Sequence, residues 1–223
     1  MTTENPDRKT NGAESQQAQT QPQQETISYF GYGEKDFFNN WAEARTRFFR
    51  PVCSYLHRYG ITADHLTLAG LYPMLFLFFP MFYLRLRIMG YFILGFHLLM
   101  DAIDGPMARF QGVQGNKGAL LDMVDDLTGM GVVVITAVHF GYLFPFIGMV
   151  YVFSYLYMIV LSVGQNLAGN PFRFVVKTKY PFYILFVLKA SYGVDWLDPF
   201  AAIASIYMVI HSIYAFRMLR KKL

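Results

Sequence analysis

Between positions 100 and 126 the chain reads MDAIDGPMARFQGVQGNKGALLDMVDD, which holds five of its fifteen carboxylates and lies between two apolar runs. Asp101 and Asp104 stand at i and i+3, and Asp122 and Asp126 at i and i+4, so each pair shares one face of a helix. Asp104 comes five residues before Arg109, and Asp122 four after Gly118. At the helical rise both sit roughly 6 to 8 Å from the intervening loop. If the two helices are antiparallel neighbours, the four carboxylates are expected at one depth.

Four anions in a low dielectric repel one another unless a positive charge lies between them. A divalent cation, or two, is the expected occupant. The donors are all oxygens, with no His or Cys in the group, which favours Mg²⁺ or Mn²⁺ over zinc. The loop suits a phosphate-bearing ligand. Gly105 allows close approach to backbone, Arg109 offers a two-pronged guanidinium, and GVQGNKG supplies amides near a helix start. Carboxylates, metal and diphosphate in one cleft are the parts of metal-assisted phosphoryl chemistry. Helix capping would account for one acid, Asp122 best, but not for four on two facing helices. Asp125 falls outside the spaced set and is expected either behind the site or at the lipid interface.

The elements that must carry these acids are apolar. The chain is 54% hydrophobic and only 15% charged, against about 25% in a soluble domain. Apolar windows at 66–84, 88–109, 118–138, 143–165, 180–195 and 199–217 predict six transmembrane helices, most of them near the roughly 20 residues that cross a bilayer core. The fold class expected is an all-α integral membrane protein. The fifth window is the least regular, since it includes Lys189 and a turn signal. Residues 1–27 are polar and rich in Gln; they read as a disordered tail and hold no apolar leader. Residues 28–60 predict an amphipathic helix lying in the membrane interface, and 61–223 the six-helix catalytic domain. In the amphipathic segment Phe37, Trp41, Phe48, Val52, Tyr55 and Tyr59 recur near helical spacing, while Arg45, Arg47, Arg50 and Arg58 take other positions. Pro51 is expected to kink it. Cys53 is the only cysteine, so an internal disulfide is excluded, and it reads as a filler.

Six spans place both termini on one side. Leaving aside Arg8 and Lys9 of the tail, fourteen Lys and Arg then fall on that side and three, Arg85, Arg87 and Lys189, on the other. The positive-inside rule puts the termini and the acidic cleft in the cytoplasm. The basic residues are scattered at the ends of apolar runs, so the partner they imply is a lipid bilayer and not nucleic acid.

The acidic stretch reads Asp101-x2-Asp104-Gly105-x2-Ala108-Arg109-x8-Gly118-x3-Asp122-x3-Asp126. It resembles, without a gap, the signature of the CDP-alcohol phosphatidyltransferase family. The resemblance extends to ITADHLTLAG just before the first span, although Thr62-Ala63-Asp64 stands where family members usually read Thr-Pro-Asn. It implies an enzyme that transfers a phosphatidyl group from CDP-diacylglycerol to the hydroxyl of a small polar alcohol and releases CMP. Asp101, Asp104 and Asp122 would hold the divalent metals, and Asp126 would be a further ligand or the base that takes the acceptor's proton. Gly105, Ala108, Arg109 and Gly118 would shape and bind the cytidine diphosphate. A homodimer is also implied.

The acceptor is less marked. NPFRFVVKTKY brings Arg173, Lys177 and Lys179 to the same side, where they would hold an acceptor phosphate such as that of glycerol 3-phosphate or an inositol phosphate. Setting topology against lipid phosphates is the alternative. Another reading within the family is a phosphotransferase with diacylglycerol as acceptor. A cation or proton transporter is the competing class, since intramembrane acids mark ion paths, but the acids cluster at the ends of two helices. His211, with Ser205 and Ser212, is expected to satisfy neighbouring groups within the last span.

Overall fold

The computed structural model describes residues 35–113, 115–167 and 177–221, and among these the chain is helical with no strand. Among the described residues eight helices follow one another: α1 Lys35–Arg58, α2 Ala63–Phe76, α3 Phe78–Tyr83, α4 Arg87–Gln111, α5 Asn116–His139, α6 Pro145–Leu167, α7 Lys179–Tyr192 and α8 Leu197–Arg220. Among the described residues four stretches are long and apolar enough to cross a membrane: Ala63–Tyr83, Arg87–Gln111, Pro145–Gln165 and Leu197–Arg220. The first joins α2 and α3, which are interrupted at Leu77 (φ −112°, ψ −28°). Pro80 explains the break, because it has no N–H for the Phe76 carbonyl four residues before it. Helix α5 has comparable length but carries Lys117 and three aspartates, and α7 has 14 residues.

Helix α2 opens with a reciprocal cap. Thr62 Oγ1 accepts from the His65 N–H, and the His65 ring accepts from the Thr62 N–H. Ala63 then takes the first helical position, where a proline is equally at home. Helix α4 ends where Gly112 turns left-handed (φ 67°), a conformation that glycine enters without a Cβ penalty. That stop sets the loop immediately after Arg109.

In lipid, helices associate through close packing more than through hydrophobic exclusion. Glycines provide the room. A Cβ on Gly70 of α2 would stand 3.0 Å from the Met100 Cβ of α4, and one on Gly148 of α6 would meet Val138 of α5 at 2.7 Å. The main core fills the space between α2, α3, α5, α6, α7 and α8 and includes Met74, Phe78, Met130, Tyr151, Phe182 and Met208. A smaller cluster of Cys53, Ala63, Leu66, Ile103 and Met107 fastens α1 and α2 to α4. Cys53 is fully buried there, and burial pushes its thiol pKa up, which suits an inert filler.

Helix α1 runs unbroken through Pro51. It packs with Phe49, Cys53 and Leu56 toward α4, while Phe48, Val52, Tyr55 and Tyr59 face outward. At the opposite end of the bundle Arg87 donates to the Ala190 carbonyl at 2.9 Å, and Lys189 pairs with Asp195. These are two of the three basic residues that stand against the charge asymmetry, and both have structural partners.

Candidate active site

Asp101 leaves α4 and Asp122 and Asp126 leave α5, one turn apart on the same face. A carboxylate oxygen from each lies within 4.8 Å of the other two. Asp104 turns elsewhere. It is 8% exposed and accepts a 2.8 Å hydrogen bond from Thr67 Oγ1 on α2. Three residues of helix advance the side chain to about 60° away around the axis, enough to aim Asp104 at α2 while Asp101 faces α5. The cluster is therefore a triad with a fourth acid beside it, where sequence spacing predicts four at one focus.

The positive charge at the triad comes from α7. Lys179 is 1% exposed; its Nζ pairs with Asp126 and lies 3.2 Å from Asp101 Oδ1. The Tyr180 hydroxyl donates to Asp101 Oδ2 at 3.1 Å. Tyr151 of α6 fixes the start of α7: its ring stacks on Phe182 with centroids 4.6 Å apart, and its hydroxyl donates to Thr178. Lys177, two residues earlier, is exposed, and Arg173 lies outside the described residues. The three basic residues expected at an acceptor phosphate thus divide, with Lys179 in the acid cluster and Lys177 at its rim.

On the loop side Arg109 is half-buried, and its Nε donates to Thr46 Oγ1 of α1 at 2.7 Å. Arg45 of α1 donates through Nη2 to the Ala102 carbonyl of α4 at 2.8 Å. A Cβ on Gly105 would stand 3.6 Å from Arg45 and 3.8 Å from Arg109, so the surface over Gly105 is lined by two guanidiniums. Ala108 is half-buried and Gly118 is exposed, with open space where its side chain would be.

Behind the triad lies a polar layer. Asp125 is 2% exposed and faces His97 of α4, with Nδ1 and Oδ1 3.6 Å apart. A Cβ on Gly129 would meet His97 Nε2 at 2.7 Å and the Tyr183 hydroxyl at 3.3 Å. His97 is one turn below Asp101, Gly129 one turn beyond Asp126, and Tyr183 one turn beyond Lys179. Of the two places expected for Asp125, the structure gives the one behind the site. His211 is buried in α8 beside Tyr207, and Ser205 donates to the Ala201 carbonyl.

The donor set fits a hard divalent ion. The triad offers only carboxylate oxygens, and the Lys179 ammonium offsets one of three formal charges, leaving the charge that one divalent ion neutralises. The family model of CDP-alcohol phosphatidyltransferases matches residues 60–219. The chain belongs to this family. It is also 37% identical over 84 residues to the phosphatidylinositol phosphate synthase of Mycolicibacterium smegmatis, a match that covers 38% of each chain. No solved structure matches this chain. In family terms the signature spans the end of α4 and the first half of α5. Thr67, Thr46, Arg45 and Tyr180 lie outside its spacing, and no local pattern in the sequence announces them.

Proposed function

We propose that this chain is a divalent-metal-dependent phosphatidyltransferase that moves the phosphatidyl group of CDP-diacylglycerol onto a hydroxyl of a phosphorylated inositol. The observation that carries the reading is the carboxylate triad of Asp101, Asp122 and Asp126, set in the family's signature beside the basic surface of Arg109 and Gly105. The relative's name, phosphatidylinositol phosphate synthase, supports the acceptor class.

Asp101, Asp122 and Asp126 would hold Mg²⁺ or Mn²⁺, with Asp104, beside them and bonded to Thr67, as a further ligand. When bound, the metal neutralises charge on the diphosphate and on departing CMP. Asp126 takes the proton of the acceptor hydroxyl; the oxygen forms a bond to the phosphatidyl phosphorus, and the bond to the bridging oxygen breaks, so that oxygen leaves with CMP. Lys179 orients Asp126 and marks the side from which the acceptor approaches. Gly105, Ala108, Arg109 and Gly118 receive the cytidine diphosphate, and Lys177 meets the acceptor's phosphate at the rim; Arg173, outside the described residues, is the further candidate for that role.

The remaining architecture follows the same reading. Residues 1–27 lie outside the described residues; α1, within 28–60, is an interfacial helix with Phe48, Val52 and Tyr55 in the lipid, and 61–223 is a six-span catalytic domain that pairs as a homodimer. Helix α5 and the short α7 complete the six, with cleft and termini cytoplasmic, so the donor keeps its acyl chains in lipid while its head meets soluble acceptors. The far-end acids are in structural use: Asp195 pairs with Lys189, and Asp198 accepts from the Phe144 N–H at 2.7 Å, which leaves little support for an ion path.

The test is CMP release from CDP-diacylglycerol by purified protein across inositol phosphate, glycerol 3-phosphate, inositol, serine and no acceptor. Release that requires inositol phosphate is expected, with Lys177→Gln raising that acceptor's KM. Equal release with every acceptor, or none, contradicts the proposal.

A further inference from the structure

Helix α7 opens with Lys179 and Tyr180 side by side. Pro181 follows them at no cost in hydrogen bonds, because N–H groups in the first turn of a helix have no helical partner. Both side chains reach Asp101 of α4, one to each oxygen: the Lys179 ammonium lies 3.2 Å from Oδ1, and the Tyr180 hydroxyl donates to Oδ2 at 3.1 Å. Tyr180 also lies against its neighbour, with the Lys179 Nζ 4.9 Å from the ring centroid, within cation–π range. Lys179 is buried, whereas Tyr180 is exposed beside the triad and turns its hydroxyl inward. Within the triad Asp101 is the member whose place needs holding. Asp122 and Asp126 are spaced by one turn of their own helix, but Asp101 comes from another. An oxygen from each lies within 4.8 Å of the other two, so repulsion drives the Asp101 carboxylate away from the pair.

Resting on the metal reading above, we propose that Tyr180 is a positioning residue of the metal site, whose hydroxyl holds the Asp101 carboxylate ready to ligate a divalent ion. A carboxylate oxygen has two lone pairs, so Oδ2 can accept from Tyr180 while Asp101 still presents lone pairs to an ion. A hydrogen bond to a ligating carboxylate fixes its orientation before the ion arrives, and losing such a partner lowers metal affinity by about 10–100-fold. Lys179 does not serve this purpose alone. It is shared with Asp126, and an ammonium is a point charge that attracts a carboxylate without fixing its direction. The tyrosine hydroxyl supplies the direction, from the start of a helix that Tyr151 and Phe182 hold in place.

The experiment is Mn²⁺ binding to the purified full chain, read from the EPR signal of the free ion with no nucleotide or acceptor present, beside a thermal melt in chelator. Tyr180→Phe keeps the ring against Lys179 and removes only the hydroxyl, whereas Tyr180→Leu removes both. The two are expected to weaken Mn²⁺ alike, by about tenfold or more, with the chelator melt of Tyr180→Phe close to wild type. Tyr192→Phe, at the exposed far end of the same helix, should bind Mn²⁺ as wild type does. A Tyr180→Phe chain with wild-type Mn²⁺ affinity overturns the proposal, and a loss confined to Tyr180→Leu would assign the role to ring packing. A chelator melt that falls together with Mn²⁺ affinity in Tyr180→Phe assigns the hydroxyl to the fold and overturns it too. A wild-type chain that binds no Mn²⁺ overturns the metal reading itself; binding that ignores Tyr180→Phe overturns this proposal alone.

Discussion

An ammonium ion among three carboxylates answers only part of their repulsion: Lys179 offsets one formal charge at Asp101, Asp122 and Asp126 and leaves two. Removing it should make the fold lean on a divalent ion. Lys179→Gln is expected to lower thermal stability in chelator, by the roughly 3–5 kcal/mol that breaking a buried pair costs, and to regain most of it in Mg²⁺. The same Mg²⁺ response in wild type and variant would contradict the charge accounting. Asp104 is held differently, by Thr67 Oγ1 at 2.8 Å. Thr67→Val keeps the shape and strands a buried acceptor, so a loss of about 1–3 kcal/mol is expected in thermal or chemical denaturation. Thr67→Ser should lose much less, since the donor survives.

Helices α4, α5 and α7 hold the triad at fixed spacing through the layer beneath it. His97 fills the space where Gly129 has no side chain, with Nε2 2.7 Å from the empty Cβ position. Gly129→Ala must displace the imidazole, and overpacking of this kind costs about 1–3 kcal/mol. His97→Ala should relieve most of that penalty, so the two changes should couple strongly in a double-mutant cycle of melting temperatures. Additive effects would show that they do not share the space. At this scale much was legible beforehand. Apart from the α2–α3 break, the helices expected from apolar windows begin and end within three residues of them, because charges and turn residues bound those windows. Pro80 carried the signal for the break at Leu77, yet a single apolar run over 66–84 masks it.

Across the whole molecule the acids were legible and their neighbours were not. Spacing at i and i+4 aims Asp122 and Asp126 together whatever surrounds them, whereas the i, i+3 pair splits because Thr67 of another helix claims Asp104. Lys179 looked like one of three basic residues near an acceptor, and only the packing of Tyr151 on Phe182 turns it into the triad. Arg45 read as one of four arginines facing headgroups, and the contact between α1 and α4 separates it from the other three. Partner choice between distant segments is a property of the assembled bundle, which local periodicity does not encode. The central claim is that this acid cluster drives acceptor-dependent cleavage of a CDP-linked lipid, and the direct measurement is CMP release titrated with Mg²⁺ and Mn²⁺ for wild type and Asp126→Asn. The account predicts metal-dependent release by wild type and a loss of about 10²–10⁴-fold in kcat for the variant, with CDP binding retained. A near-normal rate in Asp126→Asn, or wild-type release that persists fully in chelator, would contradict it.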